Sequence, residues 1–456
     1  MPDQQIEVCI LAAGMGSRMH SSHPKVLQIL AGRPLLGHIL DTLALLDSVR
    51  VHVVIGQEAD QVRQAFLNRE NVNWVMQEER RGTGHAVMQA ASYFSADSRV
   101  LILLGDAPLI SIETVDAMLK LDCDLGILSV DVEDPYNYGR ILRDAGANVI
   151  AIVEERDATE QQKKIREINT GGMVASARLL KDWLSKLNCN NDQGEYLLTD
   201  IVALAAKGNC VVTAYKAREA MEVAGINTFE QLASLESELQ LKNARDLMAK
   251  GVHIIDPSRF DLRGEVIVGK DVVIDINVII EGKVELADGV TIGPNCVIKD
   301  SRIGANSTIK ANSLIDETII DTNCSVGPFS RLRPGTHLKN EVAVGNFVEV
   351  KKSTLGEGSK ASHLAYLGDS TIGRAVNIGA GTITCNYDGV NKYETHIGDN
   401  VFVGSNSSLV APVMIGEGTT IGAGSTITRD VEPGVLAIGR GKQKIITNWQ
   451  RPTRKK

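Results

Sequence analysis

Between residues 268 and 298 an aliphatic side chain returns at every sixth position: Val268, Ile274, Ile280, Leu286, Ile292 and Ile298. A second run with the same step passes through Ile397, Val403, Leu409, Ile415, Ile421 and Ile427. A period of six is neither the ~3.6 of an amphipathic helix nor the ~2 of a half-buried strand, so this half is neither a helix bundle nor an ordinary sheet. Repeats of this length predict a β-helix, in which three hexads close one triangular coil and each aliphatic residue points inward. With 42 glycines and only 4% aromatic residues, the composition is that of a fold built from small and β-branched side chains.

The first half has a different rhythm. Short apolar runs at Val8–Leu11, Val51–Ile55, Val72–Val75, Val100–Leu104 and Leu125–Val130 alternate with helical patterns. That alternation predicts an α/β domain, Rossmann-like, with a mostly parallel sheet covered by helices. From Thr228 to Lys250, Leu232, Leu235, Leu239 and Leu247 recur among charges, which suits an amphipathic helix. The expected organisation is therefore an α/β domain over 1–228, a helical linker over 229–250 and an all-β domain over 251–456.

A net charge of -8 excludes a general nucleic-acid binder, which would present a basic face. The basic end, Arg451 to Lys456, is too short to reverse this and reads as a solvated tail. The 7 cysteines are odd in number and scattered, with no CxxC pair, so reduced thiols and a cytoplasmic location are expected. The apolar run from Val8 to Ala13 is far too short for a membrane segment. No membrane association is expected.

Leu11-Ala12-Ala13-Gly14-Met15-Gly16-Ser17-Arg18 follows the first strand. A glycine-rich turn at that place exposes backbone N–H groups where sheet meets helix, a concavity that suits phosphate. Arg18 and Lys25 add two cations beside it. Leu104-Gly105-Asp106 closes another apolar strand at the carboxyl edge, where open α/β sheets bind ligands, and an aspartate is costly to bury there unless it meets a cation.

These motifs resemble those of the sugar nucleotidyltransferases, which join a nucleoside triphosphate to a sugar 1-phosphate. The resemblance implies that Lys25 and Arg18 neutralise phosphates, and that Leu11, Ala12, Ala13 and Gly14 line the nucleotide. Gln77, Gly82 and Thr83, in a Q…GTGHA pattern, would contact uracil. Leu104 and Gly105 would contribute further nucleotide contacts, although tyrosine is commoner in the family at the position of Leu104, so a side-chain hydroxyl contact is in doubt there. Asp106 and Asn227 would hold Mg²⁺, and Gly139, Glu154 and Asn169 would contact N-acetylglucosamine.

In the second half the hexad register is interrupted around Pro328–Lys352 and again at Thr384–Thr395, and polar residues concentrate nearby. His363 stands with Arg333, Glu349, Lys351, Tyr366, Asn377, Asn386 and Tyr387. An amine attacking a thioester must lose a proton, and a histidine, with an ordinary pKa near ~6.5, accepts it at neutral pH. Glu349 is the candidate to orient the other ring nitrogen. Arg333 and Lys351, about one coil apart, are then free for a sugar phosphate, with Tyr366 and Asn377 to position the sugar.

This half resembles the left-handed hexapeptide-repeat acyltransferases, and its polar cluster is similar to that of the glucosamine-1-phosphate acetyltransferases. That likeness implies a homotrimer and acetyl-CoA contacts at Ala380, Asn386, Tyr387, Ser405, Ala423 and Arg440. Over residues 6–440 the motif order resembles the bacterial bifunctional N-acetylglucosamine-1-phosphate uridyltransferase/glucosamine-1-phosphate acetyltransferase family. The implied small-molecule substrates are UTP, acetyl-CoA and glucosamine 1-phosphate. Two other readings stay open at this level. One is a pyrophosphorylase whose β-helix only assembles it, which would not need the His363, Tyr366 and Asn386 cluster; the other is a sugar-nucleotide sensor without turnover, which would not need Asp106 paired with Asn227.

Overall fold

The computed structural model describes residues 5–191 and 194–452, so the first four residues and the last four of the basic end lie outside it. The chain divides into two compact units, Met1–Glu238 and Leu239–Lys456. The division falls within the helix Phe229–Ala249.

In the first unit the central sheet runs, edge to edge, Val212–Lys216, Leu125–Asp131, Glu167–Ser176, Arg99–Leu104, Ile6–Ala12, Val49–Ile55 and Val72–Met76. All five strands expected from the apolar runs are present within a few residues of their expected ends. Strand Glu167–Ser176 is antiparallel to both neighbours, and the hairpin Arg140–Arg143/Val149–Val153 joins it; the short apolar runs gave no sign of this arm. Alternation divides the strands between two cores. Val8 and Ile10 pack with helices Leu35–Leu43 and Ile112–Leu119 on one face. Cys9, Val54 and Ile102 pack with helices Thr83–Ala91, Ala177–Leu184 and Asp200–Lys207 on the other. Each buried aliphatic side chain contributes about 1.5–3 kcal/mol of transfer free energy. The strands thereby hold their carboxyl ends, Ala12 and Leu104, side by side.

The second unit is a parallel β-helix. Its strands pair with strands one coil further on: Ile274 with Ile292, Ile292 with Ile309, and Ile309 with Val326. Of the twelve hexad aliphatics named above, all are buried except Val268, which packs half-buried against the same core. The helix Phe229–Ala249 buries Ala244 and Leu247 in this core. It also buries Gln240, whose side chain accepts from Leu262 N at 2.7 Å and donates to Leu262 O at 3.0 Å. A glutamine thus completes the pairing of a strand at the start of the coil.

Only one of the two expected interruptions is real. Around Pro328–Lys352 the ladder is continuous: Val326 pairs with Val344, Leu332 with Val350 and Val344 with Ala361. Coils of 17 and of 18 residues are mixed through the unit, so a corner one residue shorter shifts the hexads without opening the helix. At the second place Ile372 pairs with Ile397, 25 residues on, and the extra residues form a loop closed by a bridge between Tyr387 and Lys392.

Candidate functional sites

In the first unit, eight of the expected residues, Leu11, Thr83, Leu104, Asp106, Gly139, Glu154, Asn169 and Asn227, line one cavity of about 340 Å³. Strand ends deliver the first set, with Leu11 paired to Leu104 and Gly105 N donating to Leu11 O at 2.9 Å. Beside the cavity Lys25 forms an ion pair with Asp106 and donates to Asn227 Oδ1 at 3.1 Å. Arg18 donates to the same amide oxygen at 2.7 Å. Two cations and two oxygen-bearing side chains, drawn from segments some two hundred residues apart, therefore meet at one point. Gly16 makes this possible: its φ is +62°, and a Cβ there would lie 2.8 Å from Lys25 Cβ.

Asp106 Oδ1 is buried without a hydrogen-bond partner, which is unusual for a carboxylate oxygen. Among the described residues no group of three or more His, Cys, Asp or Glu stands close enough to hold a metal ion. Asp106 and Asn227 offer two hard oxygens, a donor set that suits Mg²⁺ when triphosphate and water supply the remaining ligands.

Gln77 is buried and donates to Gly82 O at 3.3 Å and to His85 Nδ1 at 3.0 Å. Burial chiefly lowers the pKa of His85, with Arg81 adding to the effect, which agrees with a neutral ring that accepts from Gln77. Ala12 and Ala13 are buried at the end of the strand, while Gly14 is exposed beyond it.

On the sugar side, Asn169 N donates to Gly139 O at 2.8 Å, and Asn169 Oδ1 accepts from Gly171 N at 3.1 Å. Burial raises the pKa of Glu154, with Asp157 and Asp200 adding to it. Burial also raises that of Tyr138, and the charge of Asp106 contributes. The cavity wall includes Glu195, Leu198 and Thr199, which the sequence reading missed. They lie in a stretch without apolar periodicity or glycine motif, so nothing local marked them.

In the second unit the strands bring His363 beside Asn346, its ladder partner, and His363 Nδ1 lies 2.9 Å from Asn346 Oδ1. An amide oxygen only accepts, so Nδ1 carries a proton, and in the neutral ring the lone pair is then at Nε2. This corrects the expectation for Glu349. Its carboxylate accepts from Arg333 Nη1 at 2.8 Å instead, because strand register sets Glu349 next to Arg331 and Tyr366 rather than next to the histidine. Arg333 is correspondingly not free, being half of that ion pair.

Lys351 sits one coil beyond Arg333, and its pKa is lowered chiefly by the Lys392 ammonium beside it. Lys392, on the inserted loop, is a cation that the hexad pattern could not reveal. Gly368 follows Lys351 on the ladder, and a Cβ there would collide with the Tyr366 hydroxyl, so glycine leaves room for that ring. Asn377 pairs with Lys360 on another face of the coil.

Among the expected acetyl-CoA contacts, Ala380, Ser405 and Ala423 form a column on successive coils. Asn406 N donates to Ala380 O at 2.7 Å and Gly424 N to Ser405 O at 2.8 Å. Arg440 reaches back to Ala423 O at 2.5 Å. Asn386 is buried and donates to Asp369, whereas Tyr387 is exposed with its hydroxyl on Gly389 O. All seven cysteines are free, and burial pushes the Cys9 thiol up to about 12 and that of Cys324 up to about 11. No helix of the described residues is long and apolar enough to cross a membrane.

Comparison with known proteins agrees with both halves. Residues 8–167 match the MobA-like NTP transferase domain, residues 394–429 match the bacterial transferase hexapeptide (six repeats), and residues 262–344 match the GMPPB C-terminal domain. The Bifunctional protein GlmU of Pseudoalteromonas atlantica is 52% identical over 449 residues, covering 98% of this chain and 99% of the relative. That of Pseudomonas entomophila is 53% identical over 449 residues, covering 98% of each, and that of Stutzerimonas stutzeri is 52% identical over 452 residues, covering 99% of this chain and 100% of the relative. Identity at this level across both units shows that the chain belongs to the GlmU family of bifunctional proteins, pairing a nucleotidyltransferase half with a hexapeptide transferase half.

Proposed function

We propose how this bifunctional uridyltransferase/acetyltransferase divides its two reactions between named residues. The second unit transfers acetyl from acetyl-CoA to the amine of glucosamine 1-phosphate. The first unit couples the resulting N-acetylglucosamine 1-phosphate to UTP, giving UDP-N-acetylglucosamine and pyrophosphate. The observation that carries the reading is the meeting of Lys25, Arg18, Asp106 and Asn227 beside a cavity lined by Glu154 and Asn169.

In uridyltransfer the sugar phosphate oxygen attacks the α-phosphorus and pyrophosphate leaves. The nucleophile is already anionic, so the protein supplies alignment and charge neutralisation rather than a base. Lys25 and Arg18 offset phosphate charge, while the strand-end backbone from Leu11 to Gly14 and Gly105 seats the nucleotide. Gln77 with Gly82 and Thr83 reads the uracil, and Gly139, Glu154 and Asn169 hold the sugar. Asp106 and Asn227 would hold Mg²⁺, which when bound spreads the charge of the leaving pyrophosphate.

In acetyltransfer His363 Nε2 takes the proton of the attacking amine, with Asn346 fixing the tautomer. The amine nitrogen bonds to the thioester carbon and the CoA thiolate leaves. Arg333, Lys351 and Lys392 surround the sugar phosphate, Glu349 holds Arg333, and Tyr366 and Asn377 position the sugar. Ala380, Asn386, Tyr387, Ser405, Ala423 and Arg440 take the acetyl-CoA. The β-helix assembles as a homotrimer in the cytoplasm on this reading.

The test is a coupled assay with glucosamine 1-phosphate, acetyl-CoA, UTP and Mg²⁺, following thiol and pyrophosphate separately. Both products are expected, with pyrophosphate dependent on prior acetylation. Pyrophosphate from added N-acetylglucosamine 1-phosphate with no thiol release would reduce the β-helix to a scaffold and remove the role of His363.

A further inference from the structure

We infer that Thr199 is a positioning residue of the uridyltransfer site: its hydroxyl, which caps no helix, holds the Glu154 carboxylate against Gly139 to receive the sugar. The inference rests on the assignment of this cavity to the sugar phosphate.

Thr199 stands immediately before the helix Asp200–Lys207. A threonine at such a position ordinarily accepts an N–H of the first helical turn, which relieves one of the unpaired donors there. Here the side chain makes no such cap. Its hydroxyl lies 3.3 Å from Glu154 Oε1 and donates to it. The Thr199 backbone is itself helical, with φ -60° and ψ -23°, so its side chain is not posed to cap the helix and the hydroxyl is left for a residue of the cavity wall.

Glu154 needs that donor. Its carboxylate is largely buried, and its neighbours Asp157 and Asp200 disfavour its charge, while Arg140 acts only at a distance. Among the described residues Thr199 alone hydrogen-bonds the Glu154 side chain. A Cβ on Gly139 would lie 3.4 Å from one carboxylate oxygen and 3.5 Å from the other, so both oxygens rest against that glycine. A neutral hydroxyl fixes the group without saturating it. The remaining lone pairs stay available to sugar hydroxyls, whereas a guanidinium at the same place would occupy them as a fork.

The hydroxyl is itself held by a strap tied to the nucleotide side. Tyr196 N donates to Arg81 O at 2.8 Å, and Gly84 N donates to Tyr196 O at 2.8 Å. Leu198 N donates to Thr83 Oγ1 at 3.1 Å. One short segment therefore spans from the uracil-side motif to the sugar-side carboxylate.

The test compares full-length wild type with Thr199→Val and Thr199→Ser, measuring pyrophosphate release with UTP, Mg²⁺ and N-acetylglucosamine 1-phosphate. Loss of one hydrogen bond to a charged group predicts that Val raises the KM for the sugar phosphate about tenfold, with the KM for UTP changed less than about twofold. Serine, which keeps the hydroxyl, is expected to restore the sugar KM to within about threefold of wild type. Should the valine variant fail to accumulate, Thr199→Ala gives the same comparison. An unchanged sugar KM in the hydroxyl-free variants, or a rise in both KM values that serine does not reverse, overturns the role of Thr199 alone. A wild-type protein that releases no pyrophosphate from this sugar phosphate overturns the assignment of the cavity, and the inference with it.

Discussion

The ammonium of Lys25 is paired with one oxygen of the Asp106 carboxylate, while the other oxygen is buried with no hydrogen-bond partner among the described residues. A carboxylate half satisfied by a cation and half orphaned is costly in a protein that only has to fold, since a buried polar atom left without a hydrogen bond costs about 1–3 kcal/mol. It is the arrangement expected where a second positive ligand completes the site.

Asp106→Asn keeps the shape and removes the charge. Pyrophosphate release should fall by at least about a hundredfold, the scale of losing one electrostatic stabiliser of a transition state. Thiol release from acetyl-CoA, measured on the same preparation, should stay near wild type. Chelation of Mg²⁺ should reproduce this split in the unsubstituted protein. Retained uridyltransfer in the variant would count against both the metal role and the site.

The contacts of His363 and Glu349 separate two roles that a single dyad would combine. Asn346→Ala removes the acceptor that fixes the His363 tautomer, so kcat for acetyltransfer should drop by about tenfold to a hundredfold. Glu349→Gln weakens the hold on Arg333, so the KM for glucosamine 1-phosphate should rise with a smaller change in kcat. Steady-state kinetics of the two variants decides the matter. A kcat loss in Glu349→Gln as deep as that of His363→Ala would reinstate the carboxylate as the orienting group.

These sites show where the sequence was legible. The six-residue period located the inward positions because a coil forces one aliphatic residue per side, and eleven of the twelve named are buried. The glycine-rich turn and the strand-end aspartate were legible for a similar reason: backbone geometry limits which residues stand there. The pairing of His363 with Asn346 was not, because the two meet only through coil register, and a coil of 17 rather than 18 residues moves the partner by one place. The same ambiguity produced the false interruption at Pro328–Lys352. Lys392 and Thr199 lie on irregular loops whose positions depend on distant contacts, and no local pattern marks them.

The first unit also buries Glu7 fully, with its carboxylate accepting from Ser95 N at 2.9 Å and from His52 Nε2 at 3.0 Å. Burial lowers the pKa of His52 below its ordinary 6.5, and the Glu7 contact opposes this without reversing it. The unfolded chain therefore takes up the proton at a higher pH than the folded one. Stability is present above the ordinary histidine pKa and is lost as pH falls through it, by at most about 1.4 kcal/mol per pH unit for one proton. Melting temperatures of wild type and His52→Gln between about pH 7.5 and about pH 5.5 test this window, with a flatter profile expected for the variant. His38 and His85 shift in the same direction but remain in both proteins, so the difference between the profiles isolates His52.

Gly82 supplies the sharpest steric test. Its φ is +102°, and a Cβ there would stand 2.5 Å from Tyr196 O, the carbonyl that also accepts from Gly84 N. Neither the backbone angle nor the neighbour can yield cheaply, because the carbonyl belongs to the strap that ends in Thr199. Gly82→Ala should destabilise the first unit by about 1–3 kcal/mol, the range for a side chain forced into a sparsely populated conformation. It should also push the Tyr196–Thr199 segment outward, raising the KM values for UTP and for the sugar phosphate together. Acetyltransfer should be spared. A KM rise confined to UTP would mean that the strap absorbs the clash locally, and that the nucleotide and sugar halves of the cavity are not mechanically joined through it.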